Sequence, residues 1–164
     1  MKKETYIKIT GLIRDDAKKI KLVRLTNLLL TGFVFLLYPL FLLLLLIQRN
    51  PFILRAILVP AISFVAVSAF RHILNVPRPY EKFDIPSAIK KETHGKSFPS
   101  RHVFSVFVIA MTIFYVYANV GILLCIIGII LGVIRVIGGV HEPRDIIVGA
   151  LIGILSGLIG FYLI

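Results

Sequence analysis

The chain has one cysteine, no tryptophan and two methionines in 164 residues. Cys125 lies in an apolar run, so neither a disulfide framework nor a thiolate metal site can be assembled. Acidic residues are scarce as well: eight Asp and Glu stand against 19 Lys and Arg, a formal net charge of +11. Nowhere does the sequence offer an obvious metal cage, and no cofactor is expected. What is abundant is apolar: 58% of residues are hydrophobic and the mean hydropathy is +0.94, beyond the range of ordinary soluble domains. Each crossing of a bilayer takes about 20 apolar residues. A chain of this length is therefore one compact all-α membrane bundle with no room for a separate soluble domain. A nucleic-acid binder would show its basic residues on a soluble fold. The expected partners are instead a phosphorylated membrane lipid and anionic phospholipid headgroups, with no nucleic acid. The first apolar run is too long for a cleavable signal peptide.

Residues 1–24 are basic, yet Ile9, Leu12, Ile13, Ala17 and Ile20 recur at helical spacing. They predict an amphipathic helix on the membrane surface. The rest, 25–164, forms the membrane domain, with five spans at about 25–47, 52–70, 102–118, 121–140 and 145–164. Between the second and third runs a polar loop at 71–101 carries Pro77, Pro79, Pro86 and Pro99, which exclude a long helix. Gly149, Gly153 and Gly157 fall four apart, as do Gly128 and Gly132. Such spacing points to close packing within one bundle and also permits the pairing of two copies in an oligomer.

Two spans separate the tail from the loop, so both lie on one side together with the turn at His141 to Arg144. That side holds eight basic residues in the tail, seven in the loop and Arg144, against Arg49 and Arg55 opposite. The positive-inside rule makes the loaded side cytoplasmic in a multi-pass protein of the cell membrane. Lys82, Lys90, Lys91 and Lys96 are expected to meet anionic headgroups there.

Polar residues are costly at a membrane boundary, and three clusters stand out. Arg71-His72 and Arg78-Pro79 follow the second span, Pro99-Ser100-Arg101-His102 precedes the third, and Arg135, His141 and Asp145 bracket the turn into the fifth. All three reach the same membrane face. Arginine forks match phosphate oxygens, and they stay charged where water is scarce. One imidazole can attack phosphorus while another protonates the leaving group. Asp145, four residues after His141, can orient that imidazole if the last helix starts at or just before His141. His72 and His94 read as loop or interfacial residues, and Glu142 with Arg144 as an exposed pair.

This pattern of Arg71, Arg78-Pro79, then Pro99-Ser100-Arg101-His102, then Arg135, His141 and Asp145 resembles the three-part signature of the type 2 phosphatidic acid phosphatase superfamily, which includes vanadium haloperoxidases. The resemblance runs from about Phe52 to the C-terminus. It implies a metal-independent lipid phosphatase with His141 as nucleophile, His102 as general acid and Asp145 as orienting group. Arg71, Arg78, Ser100 and Arg135 would bind phosphate. Arg71 stands where the family usually has lysine, Ile134 where a serine often precedes the arginine, and Arg101 where glycine is usual; its guanidinium would either add a phosphate contact or point away and crowd the site. Family members commonly have six spans and an outward-facing site, whereas five spans with a cytoplasmic tail turn this site inward. A cytoplasmic site favours phosphatidate or phosphatidylglycerol phosphate over undecaprenyl pyrophosphate as substrate. A non-catalytic lipid-phosphate binder or scramblase, or a phosphotransferase, would use the same residues.

Overall fold

A computed structural model describes residues 1–89 and 94–163. Its described residues form helices and no strand: α1 Lys3–Arg14, α2 Ala17–Ile47, α3 Ile53–Leu74, α4 Pro79–Phe83, α5 Arg101–Phe114, α6 Ala118–Ile137 and α7 Pro143–Leu158. A π-helical turn, Ile159–Leu163, extends α7. Four helices, α2, α3, α6 and α7, are long and apolar enough to cross a membrane. Their outer faces expose Leu28, Leu36, Leu46, Ile62, Ile129 and Leu151, as lipid-facing surfaces do. Pro39 and Pro60 are accommodated inside α2 and α3.

The expected third span is shorter than the others. α5 has 14 residues and is about 21 Å long at 1.5 Å per residue, less than the hydrocarbon thickness. It need not match the bilayer because it is wrapped in protein: Val103, Phe104, Val106, Ala110 and Ile113 are at most 1% exposed. α6 and α7 pack most closely on it, with α2 and α3 completing the enclosure. Glycines set that closeness. A Cβ at Gly149 would lie 2.7 Å from the Ser100 carbonyl oxygen, and one at Gly153 2.8 Å from that of Phe104. Gly157 abuts Met111, and Gly132 abuts Ile146. These glycine faces are thus covered within the chain.

Residues 1–24 do not form one continuous helix. Asp15 ends α1, and Asp16 caps α2, its Oδ1 accepting from the backbone N–H groups of Lys18 at 2.8 Å and Lys19 at 3.2 Å. Ala17 and Ile20 therefore begin the first crossing helix. In α1, Tyr6, Thr10 and Ile13 face the bundle while Ile7 and Leu12 stay exposed.

Tail, loop and final turn lie at one end. Arg24 Nε donates to the Ala88 carbonyl at 2.6 Å, and the Tyr6 hydroxyl to that of Gly139 at 3.2 Å. The opposite end is marked by Gln48 donating to Tyr117 and by Phe52 packed on Tyr115 with ring centroids 4.7 Å apart. Lys90 and Lys91 lie outside the described residues.

Candidate active site

α6 stops at Gly138, and Gly139, at φ +78, turns the chain toward α7 in a conformation that a side chain would strain. His141 follows, 1% exposed. α7 begins at Pro143, two residues later than the expected start, because proline suits the first helical position. Asp145 consequently reaches back from the first turn of α7, where an acid is favoured by the helix dipole, instead of sharing a helix face with His141. Asp145 Oδ2 accepts from the Glu142 backbone N–H at 3.0 Å and lies 3.4 Å from His141 Nδ1. That contact turns Nδ1 of the imidazole toward the carboxylate.

A residue outside the predicted set joins this pair. Ser97 Oγ donates to Asp145 Oδ2 at 2.6 Å and stands 3.4 Å from His141 Nδ1, with Ser97 itself 1% exposed. Its place two residues before Pro99 was the available signal. Glu142 is another difference from expectation. It does pair with Arg144 at 3.1 Å, but the carboxylate is buried and also meets Lys82 Nζ at 3.5 Å and the Met1 ammonium at 2.9 Å. Lys82 is thereby engaged with protein as well as solvent.

Three arginines are buried around this core. Arg71 donates to the carbonyls of Ser97, Pro99 and Lys96, clamping the loop that carries Ser97 and Ser100. Arg78 Nη1 donates to the Val140 carbonyl at 3.2 Å, holding the residue before His141. Arg135, 1% exposed, donates from Nη1 to Asn27 Oδ1 on α2 at 3.0 Å. Asn27 is a second residue that the sequence reading missed; a lone amide in an apolar span was the signal. Ser100 caps α5 and its N–H donates to the Asp145 carbonyl at 2.8 Å, tying the second cluster to the third.

Arg78 Nε, Arg135 Nε and Nη2 and the Ser100 hydroxyl are buried with no hydrogen-bond partner, as are the Ser68 and Thr31 hydroxyls and, on the acceptor side, Asp145 Oδ1. Native proteins seldom leave such groups unpaired, and a cluster of unpaired donors matches an oxyanion. A cavity of about 410 Å³ beside them is lined by Arg71, Arg78, Arg101, His102 and His141 together with Ser68, His72, His94, Gly95 and Lys96, with Ser100 and Arg135 behind its lining. None of these described lining residues is a carboxylate. His72 and His94, expected as loop or interfacial residues, also border this cavity, and the exposed His94 contacts Glu81 at 3.1 Å. Arg101 is exposed at the rim, its guanidinium 5.3 Å from the Phe64 ring centroid. No three of His, Cys, Asp and Glu come together as a metal cage among the described residues, and the converging donors are cationic, a set suited to an anion.

Comparison with curated proteins gives no match. Among solved structures, LpxE from Aquifex aeolicus is similar: 30% identical, TM-score 0.67, with 87% of this chain and 92% of that one covered. The PAP2 superfamily matches over residues 52–164, which hold every charged residue of the cavity. The chain is a membrane protein belonging to the PAP2 superfamily.

Proposed function

We propose that this chain is a metal-independent membrane lipid phosphatase that cleaves a lipid phosphomonoester or pyrophosphate through a phosphohistidine on His141. The observation that carries this reading is the group of buried, unpartnered donors on Arg78, Arg135 and Ser100 beside a buried imidazole whose Nδ1 faces a carboxylate. Membership in the superfamily and likeness to LpxE support it.

The phosphoryl group enters with its oxygens on the guanidiniums and the Ser100 hydroxyl. His141 Nε2 attacks phosphorus in line; the P–O bond to the lipid breaks and His102 gives its proton to the departing oxygen. Asp145 stabilises the charge that develops on the imidazole, as the carboxylate of a catalytic triad does. Water then attacks phosphorus, passing a proton to His102, the P–N bond breaks, and inorganic phosphate leaves with His141 restored. Arg71 acts on this chemistry through the loop it clamps, and Arg101 meets the substrate at the rim.

The site end carries the basic tail and loop, so it faces the cytoplasm, and lipids made on that leaflet, phosphatidate and phosphatidylglycerol phosphate, are the favoured substrates over a polyprenyl pyrophosphate. The test is phosphate release from these lipids in detergent micelles by wild type and His141→Ala. Release by wild type with none by a folded His141→Ala protein is expected; release retained in the variant refutes His141 as nucleophile. Binding without release by wild type would identify a lipid-phosphate binder. Labelling of a cysteine at Ser87, in a Cys125→Ala background, from outside intact cells would overturn the cytoplasmic side.

A further inference from the structure

The polar cavity shares two walls with an apolar groove. On α3, Phe64 lies one turn before Ser68 and about two before Arg71; on α5, Ser105 lies one turn after Arg101, and Ile109 one turn further. Ser68, Arg71 and Arg101 line the cavity, whereas Phe64, Ser105 and Ile109 line a groove of about 390 Å³ closed on its third side by Phe35 and Tyr38 of α2. Arg101 over Phe64 marks the junction. The groove opens to lipid, since Phe35, Phe64 and Val65 are exposed at 48%, 39% and 67%.

We propose that the groove between α2, α3 and α5 seats one hydrocarbon chain of the lipid whose phosphate is held at His141. This rests on the phosphatase reading above and adds where the substrate lies in the membrane. Headgroup and chain then occupy adjoining stretches of the same two helices, with the Arg101 guanidinium at the polar boundary. A chain gains little by leaving bilayer for groove, because both are apolar. The effect of the groove is therefore on position: it fixes the phosphorus relative to His141 Nε2, and acts on kcat more than on KM. From Ile57 to Phe64 the groove is about 10 Å long, so the benefit of lengthening a chain saturates once that length is filled.

A second apolar groove, of about 470 Å³, is lined by residues of α6 and α7, Ala150 among them, with Phe107 of α5 and none from α3, the helix that carries Ser68 and Arg71 of the polar cavity, and serves as the control. The experiment measures kcat and KM for a long-chain lipid phosphate and for a short-chain, water-soluble phosphate monoester, using wild type, Ala61→Phe and Ala150→Phe. Ala61 lines the first groove at an exposed position, where a larger side chain fills space without displacing core. Expected is a fall of about tenfold in kcat for the long-chain substrate in Ala61→Phe, equivalent to ~1.4 kcal/mol of lost positioning, with the short-chain rate unchanged and Ala150→Phe like wild type. Equal long-chain rates in Ala61→Phe and wild type, a parallel fall on both substrates, or discrimination by Ala150→Phe in its place would each overturn the groove assignment. Failure of wild type to release phosphate from either substrate would overturn the phosphatase reading itself.

Discussion

Ser97→Ala tests the proposed machinery at a position whose only catalytic route is through its neighbours. The Ser97 hydroxyl donates to Asp145 Oδ2 at 2.6 Å, and the same oxygen lies 3.4 Å from His141 Nδ1. Alanine removes one of the three hydrogen bonds to that oxygen and leaves those of the Glu142 N–H and His141 Nδ1. A hydrogen bond to a charged group contributes about 1.5–3 kcal/mol, so if its loss is expressed in the transition state, kcat/KM falls between about tenfold and a hundredfold. The assay is phosphate release from lipid micelles, with the thermal midpoint measured alongside. A folded variant whose kcat/KM stays within about twofold of wild type, less than the weakest such bond supplies, would refute the positioning role.

Three further outcomes follow from the same geometry. Asn27→Leu leaves the buried Arg135 guanidinium without its amide partner, so inorganic phosphate should inhibit about tenfold less well, the low end of a charged hydrogen bond; unchanged inhibition would remove α2 from the site. Gly149→Ala places a Cβ 2.7 Å from the Ser100 carbonyl oxygen and must push the start of α5 outward, so activity should fall more than the thermal midpoint; a fully active variant would contradict that contact. Burial pushes the Tyr6 hydroxyl up to about 12. Its contribution to stability is full below the ordinary tyrosine value near 10 and is lost as pH rises through 12. Wild type should therefore lose more thermal stability than Tyr6→Phe between those values, and parallel losses would refute the assignment.

Much of the fold was legible because lipid imposes strong rules on sequence. Long apolar runs separated by prolines and charges gave the crossing helices, and the number of runs between them gathered tail, loop and final turn at one end. Less legible were the starts and stops. The tail reads as one stripe through Ile20, but Asp16 offers its carboxylate to two backbone N–H groups and divides the stripe between α1 and α2. Periodicity records which residues share a face; it does not record that a cap ends the face. α5 was legible as apolar but not as the central helix, since burial by protein and burial by lipid select the same side chains.

The residue types of the site, and the spacing of His141 and Asp145, were determined by the sequence itself, since arginine, imidazole and carboxylate carry their chemistry wherever they are placed. Only the tertiary structure decided their partners. It brought Ser97 against Asp145 across 48 residues and Asn27 against Arg135 across 108, separations at which no local pattern connects two positions. It also turned Arg71 onto the carbonyls of its own loop and seated Arg101 over Phe64 at the rim. The charge of each arginine is written in the sequence, but the groups that neutralise or receive it are set by helix packing alone.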